Sequence, residues 1–216
     1  MSQDSQLQQA VLAELSWEPS VTSAHIGVTA NAGVIVLSGH VESFVEKYAA
    51  DTAARRVKVV KAVAEELKVW LSTDSSRSDS AIAQAAVDRL AGDVSVPLNA
   101  VEIKVEKGWI TLTGVVDWHY QKNAAERDIR SLRGVVALTN LISIRPWVNV
   151  SDLSHDITKA LHRSRFDPKT IKVTTDGGQV RLTESVHSWH DRAEAESTSW
   201  AAPGTIHVEN DFVVVA

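Results

Sequence analysis

Cysteine is absent from this chain of 216 residues, which excludes disulfide bonds, thiolate metal sites and cysteine nucleophiles. A basic excess is absent as well, because the formal net charge is −5 and none of the repeated units described below is positive. This balance disfavours a general polyanion binder. No apolar run approaches the roughly 18 residues of a membrane-spanning helix, so we predict no transmembrane segment.

The N-terminal residues 1–6 show neither the basic start nor the apolar stretch of a secretory signal peptide. We therefore expect the chain, as given, to be cytoplasmic, and to be periplasmic if a signal peptide was removed before this sequence begins. The lack of cysteine does not decide between the two compartments.

A glycine-bounded strand occurs three times in the chain, at residues 33–41, 108–116 and 178–186. Each copy starts with a turn glycine and then alternates apolar with small or polar residues, which predicts the returning strand of a β-hairpin. Repetition at nearly constant spacing indicates tandem units, since each copy marks one supersecondary unit.

The repeat divides the chain into three modules with two short links, the first of which is polar. We predict modules at 1–71, 79–146 and 152–216, joined by linkers at 72–78 and 147–151. In the first module the predicted elements are a helix at 4–17, a strand at 26–28, a strand at 34–41, a helix at 44–57 and a strand at 63–69.

The order α-β-β-α-β recurs in the other two modules, so the predicted fold class is α+β. A three-stranded sheet can bury one face against two helices, which gives a two-layer sandwich. The crossover from the second strand through a helix to the third is expected to be right-handed if these strands are parallel. Modules this small are marginally stable, so stacking between them is plausible.

Three sequence features lead to a family. The hairpin ends in Leu-(Ser/Thr)-Gly-X-Val at 37–41 and 112–116; a helix carries a cation and alanines at 122–127; and a strand is entered through 133–136 and passes Asn140. The pattern resembles the BON domain, named for bacterial osmotically inducible Y and nodulation proteins, in three tandem copies.

Two positions depart from the family pattern. Glu184 replaces the glycine found at Gly39 and Gly114, and Val59 replaces the glycine found at Gly134 and Gly204. Glycine at such positions provides an unusual φ angle or allows close packing. We therefore expect altered local geometry at Glu184, with the fold retained.

The resemblance implies a protein without enzymatic activity or cofactor, linked to osmotic or envelope stress and associated with phospholipid membranes. Most relatives carry a signal peptide, from which this chain departs. A contact with anionic phospholipid is the first functional hypothesis, and the acidic total predicts that it is weak and salt-sensitive.

The candidate lipid or partner site lies at the start of the second helix of each module. An aromatic ring next to a cation there suits a membrane interface, where the ring reaches headgroup depth and the cation meets phosphate. The alternative is that the rings cover their own sheet edges and the cations are solvated. The residues are Phe44, Lys47, Trp118, His119, Tyr120, Lys122, Trp189 and Arg192.

The sequence shows no catalytic or metal-binding pattern. The eight histidines form no set with zinc-ligand spacing, and no Gly-x-Ser-x-Gly occurs. Gly177-Gly178 lies in a hairpin turn, which excludes a dinucleotide-binding loop. We therefore expect no metal site.

Two alternatives to lipid binding remain open. One is a protein-interaction scaffold or chaperone-like module that uses exposed sheet faces and binds protein partners. The other is RNA or DNA binding, for which residues 162–172 form the densest basic cluster. Nucleic acid is disfavoured because no Gly-x-x-Gly clamp and no paired stacking aromatics are present.

Overall fold

A computed structural model of the chain describes residues 2–72, 75–147, 152–163, 171–186 and 189–214, apart from the side chains of residues 189, 190 and 214. Parts of the predicted linkers, 73–74 and 148–151, lie outside the described residues, as does most of the basic cluster, 164–170. The module boundaries therefore stay predictions.

The first module shows the predicted order of elements, with a short 3₁₀ turn at Ser23–His25 before the first strand. Its first helix begins at Ser2, whose Oγ accepts a hydrogen bond from the Ser5 amide. The elements are α1 (Gln3–Trp17), β1 (Ile26–Asn31), β2 (Val34–Val41), α2 (Phe44–Arg56) and β3 (Ala62–Val69).

The second and third modules repeat this order, except that their third strand is split in two. The second module contains α3 (Asp79–Gly92), β4 (Val101–Glu106), β5 (Trp109–Val116), α4 (His119–Arg130), β6 (Ala137–Asn140) and β7 (Ser143–Ile144). The third contains α5 (Leu153–Leu161), β8 (Ile171–Asp176), β9 (Gln179–Val186), α6 (Trp189–Trp200), β10 (His207–Asn210) and β11 (Val213–Val214).

In each module the glycine-bounded strand is the central strand of the sheet. In the first module β2 pairs antiparallel with β1 and parallel with β3. In the third module β9 pairs antiparallel with β8 and parallel with β10 and β11. The predicted α+β fold class, three tandem modules with a small sheet and two helices each, is confirmed.

The core of each module lies between the helices and one face of the sheet. Along β2 the buried residues are Ile35, Leu37 and Val41, which follow the alternation of the strand. They pack with apolar residues from α1 and small ones from α2, because alanine lets a helix approach a sheet closely. The helix residues of this core are Leu7, Val11, Leu15, Ala50, Ala53 and Ala54.

The chain folds into two compact units, which are described separately. The first comprises Met1–Arg89, Ile103–Thr111 and Arg127–Thr139. The second comprises Leu90–Glu102, Leu112–Glu126 and Asn140–Ala216. The second module thus contributes residues to both units.

An asparagine splits the third strand of the second and third modules. The Oδ1 atom of Asn140 accepts from the Ile142 amide at 3.2 Å, and that of Asn210 accepts from the Phe212 amide at 3.4 Å. Such a side-chain turn competes with the strand ladder. Glu65 holds the corresponding place in the first module, where β3 runs unbroken.

The end of the central strand needs a left-handed backbone in all three modules. The φ angle is 116° at Gly39, 131° at Gly114 and 90° at Glu184. A Cβ atom at Gly39 or Gly114 would collide with the carbonyl oxygen of His25 or Ala100. Glu184 therefore keeps the left-handed φ of its glycine counterparts, at a value 26° below that of Gly39 and 41° below that of Gly114.

A second left-handed position follows the second helix. Gly134 and Gly204 have φ angles of 93° and 91°, and Val59 has 75°. A β-branched residue in this region is strained, because its Cβ meets the following carbonyl oxygen at a cost of about 1–2 kcal/mol. The fold thus requires positive φ at this site whichever residue occupies it.

We expect Val59→Gly to raise the free energy of unfolding by about 1 kcal/mol, since relief of the strain exceeds the extra entropy of glycine in the unfolded chain. Val34→Gly is the control: Val34 is similarly exposed but has ordinary strand φ, so this change should lower stability. Urea unfolding measures the stability of both variants. A loss of stability in Val59→Gly would contradict backbone strain at Val59.

Candidate functional site

One predicted ring position in each module falls at the first residue of the second helix, while Trp118 and Tyr120 flank that residue in the second module. Phe44 begins α2, His119 begins α4 and Trp189 begins α6. Ser43 caps α2 by accepting the Glu46 amide on its Oγ at 3.1 Å. Phe44 is half-buried. The side chain of Trp189 is not among those that the structure describes. The three residues thus share a helix start, and their role as a binding site stays a prediction.

Two of the predicted cations bind their own third strand. Lys47 Nζ donates to the carbonyl oxygen of Leu67 at 2.9 Å and forms an ion pair with Glu65 at 2.8 Å. Arg192 Nη2 donates to the carbonyl oxygen of Asn210 at 2.7 Å. Both side chains thus connect the second helix to the third strand, which is a contact that sequence spacing did not show.

In the second and third modules an asparagine adds to this connection. Asn140 Nδ2 donates to the Lys122 carbonyl oxygen at 3.2 Å and to Glu126 Oε2 at 3.0 Å. In the third module Asn210 Nδ2 makes the corresponding contact with Glu196 Oε2 at 2.8 Å. The glutamate and asparagine are fourteen residues apart in both modules, a spacing that could have revealed the pair in the sequence.

The second compact unit contains the most exposed apolar residues near a predicted site. Three segments meet at one end of the second module's sheet. The Val115 amide donates a hydrogen bond to the Ala100 carbonyl oxygen, and the Arg145 amide donates one to the Val116 carbonyl oxygen. The loops before β4 and after β5 and β7 therefore share this end. We call it the aromatic end and define it by Val94, Leu98, Trp118, Tyr120 and Trp147.

The loop between α3 and β4 holds two apolar side chains in solvent. Val94 is fully exposed and Leu98 is 76% exposed. Val96 between them is buried, and Asp93 Oδ1 accepts the Ser95 amide at 2.7 Å, so the loop is anchored at its middle. Sequence reasoning missed Val94 and Leu98, because they lie outside any regular element and outside the repeat.

Two rings of this end contact each other. The Trp118 and Trp147 rings meet edge to face at 5.3 Å between centroids, an arrangement aromatic pairs favour. Tyr120 remains 58% exposed and Trp147 46% exposed. The aromatic end thus combines a group of two exposed aliphatic side chains on one loop, a partly exposed ring pair and an exposed tyrosine.

A groove of about 800 Å³ lies beside this group. The His119 ring stacks on Trp200, the last residue of α6, with centroids 3.8 Å apart and planes 9° apart. Burial lowers the pKa of His119, and the charge of Lys122 lowers it further, while Glu196 and Glu126 act in the opposite direction. The groove is lined by Trp118, His119, Tyr120, Asn123, Ala193, Glu196, Ser197, Trp200 and Ala201.

The first unit has an aromatic stack of its own. The rings of His25 and His40 lie 4.5 Å apart, and those of His40 and Trp70 lie 4.2 Å apart. In the same unit Trp109 Nε1 donates to Thr139 Oγ1 at 2.9 Å. These rings contact residues of their own modules.

Within residues 2–72, 75–147, 152–163, 171–186 and 189–214 no three His, Asp or Glu side chains are arranged to hold a metal ion. Over the same ranges, no helix combines the length and the apolar character needed to cross a bilayer.

The fold defines a class of small tandem α+β modules. The BON domain profile matches residues 3–69, 78–146 and 149–216, and the chain belongs to the BON domain family. It is 29% identical to the osmotically-inducible protein Y of Escherichia coli strain K12 over 141 residues, which cover 63% of this chain and 70% of that protein.

Two solved structures also resemble the chain. Both are of CdsD, described as a structural protein of the type III secretion system of Chlamydia trachomatis. For its C-terminal domain the identity is 17%, the coverage 97% of this chain and 98% of that one, and the TM-score 0.28. The second has the same identity, covers 97% and 92%, and has a TM-score of 0.27. Neither likeness is close enough to bear on the fold.

We expect Lys47→Met to lower the free energy of unfolding by about 1–2 kcal/mol, because it leaves the Leu67 carbonyl and Glu65 without their donor. Lys104→Met is the matched control, since the Lys104–Glu106 pair is about two-thirds exposed and should change stability by less than about 0.5 kcal/mol. Urea unfolding measures the stability of both variants. Equal stability of Lys47→Met and the parent would exclude a structural role for Lys47.

We expect His119 to titrate below the usual 6.5, and Trp200→Ala to raise its pKa by exposing the ring. As the pH falls, His119 is protonated in the unfolded chain before it is protonated in the folded protein. The free energy of unfolding therefore decreases between a pH of about 6.5 and the folded pKa of His119, and this residue causes no further decrease below that pKa. NMR titration of the imidazole measures the midpoint, with Trp17→Ala as control. A midpoint at or above 6.5 contradicts the burial.

Proposed function

We propose that this protein is a non-enzymatic, stress-associated BON protein that attaches to phospholipid membrane surfaces through the aromatic end of its second module. Stress association is supported by similarity to the osmotically-inducible protein Y. The observation that carries the membrane contact is the exposure of Val94, Leu98, Tyr120 and Trp147 on segments that flank one end of the second module's sheet.

The composition of the aromatic end suits the boundary between headgroups and acyl chains. Tryptophan and tyrosine favour this depth, because their rings are apolar and their N–H or O–H groups still reach water. Val94 and Leu98 can insert further, and burying such a side chain is worth about 1.5–3 kcal/mol. The loop that carries them is anchored by Val96, so insertion requires no refolding.

Charge contributes less than the sequence suggested. Lys47 and Arg192 bind their own third strands, and Arg145 forms an ion pair with Asp117 at 3.2 Å. With a net charge of −5, the chain has no strong attraction to anionic lipid. We therefore propose that apolar insertion dominates and that anionic lipid adds a modest, salt-sensitive part through Lys122.

Vesicle co-sedimentation tests this surface. The parent should sediment with phospholipid vesicles, slightly more with anionic lipid at low salt, and Val94→Asp with Leu98→Asp should weaken binding at least about tenfold. Val87→Asp is the matched control, because Val87 is 52% exposed on α3 and lies outside the aromatic end.

Two outcomes would refute the proposal. One is that the parent sediments with no vesicle of any composition. The other is that the double variant binds vesicles as well as the parent. Circular dichroism of each variant verifies that the fold is retained.

A further inference from the structure

The chain pairs a cation with an aromatic ring at one helix contact. In the first unit the Arg130 guanidinium carbon lies 3.6 Å from the centre of the Tyr48 ring. Arg130 is the last residue of α4, and Tyr48 lies in the second turn of α2. This distance is within the range of a cation–π interaction, so this helix pair holds a positive charge over a ring.

In the second unit, the contact between α6 and α4 has a ring in place of the cation. Trp200 ends α6 as Arg130 ends α4, and it stacks on His119 at the start of α4. Four rings then line the groove, and none of its described lining residues is lysine or arginine. His119 and Trp200 turn one face to each other. The remaining ring faces carry negative potential, so a groove lined by rings without a lysine or arginine suits a positively charged ligand.

A carboxylate stands at the same groove. Glu196 is half-buried, and Asn210 Nδ2 holds its Oε2 at 2.8 Å. Glu196 is the one charged side chain among the described residues that line the groove. The groove therefore offers a cation one fixed counter-charge.

We propose that this groove binds a small quaternary ammonium cation between its aromatic rings and Glu196. Such an ion carries its charge on methyl groups, which contact ring faces without the strong hydration of a primary ammonium. The open groove of about 800 Å³ admits a free compound or the choline part of a lipid headgroup. The site goes beyond the proposed membrane contact, because a free cation needs no bilayer.

Calorimetry with the full chain and tetramethylammonium or choline chloride tests the site. We expect a Kd on the order of 1 mM, as is reasonable for so small a ligand, and shifts of the Trp200 indole N–H in NMR spectra. Trp200→Ala, Glu196→Gln and Tyr120→Leu should each weaken binding about tenfold. Tyr120 is exposed, so its variant tests the site even if the others fold poorly.

The matched control is Tyr48→Leu, which removes the Arg130 contact in the first unit and should leave binding unchanged. The neutral isostere 3,3-dimethylbutan-1-ol should bind at least about tenfold more weakly than choline. Equal binding of the isostere, or full binding by Tyr120→Leu and Glu196→Gln, would overturn the proposal.

Competition identifies the source of the ligand. If phosphatidylcholine vesicles displace free choline from the groove, the headgroup is a ligand; if they do not, the site takes the free cation. Val94→Asp with Leu98→Asp should leave the affinity for free tetramethylammonium unchanged. Loss of vesicle binding with retained cation binding therefore separates the two proposals.

Discussion

The central strand of each module determines where the remaining elements lie. β2 is paired on both sides, antiparallel with β1 and parallel with β3. A parallel neighbour must run in the same direction, so the chain returns through α2 before it forms β3. The start of α2, the end of β3 and the start of β1 consequently meet at one end of the sheet. The equivalent end of the second module is the aromatic end.

The repeated cations belong to this construction. A parallel third strand at the sheet edge has carbonyl oxygens without a strand partner on its outer side. Lys47 and Arg192 donate to two of these, at Leu67 and Asn210. A charged donor makes such a bond stronger than a neutral one would. In the first and third modules the cation therefore has a structural role at this edge, at a position that also suits lipid binding.

The sequence predicted most of the fold and less of the site. Periodicity and the repeated glycine located the helices and strands, because core packing imposes those patterns on the chain. The split third strand depends on Asn140 and Asn210. Each side-chain oxygen accepts a hydrogen bond from the backbone amide two residues later, and the periodicity of the sequence does not show this bond. The aromatic end depends on Val94 and Leu98, which have no periodicity. Only the topology brings their loop beside Trp118 and Trp147.

The three modules share a frame and differ at their ends. At the places of Val94 and Leu98 the first module has Pro19 and Ser23, and its rings stack on one another as His25, His40 and Trp70. What recurs in tandem repeats is what every copy needs to fold, and the fold alone can account for it. Residues found in one copy are not needed by the frame. In this chain those residues, Val94, Leu98 and Trp200, are the ones that carry the proposed membrane and cation contacts.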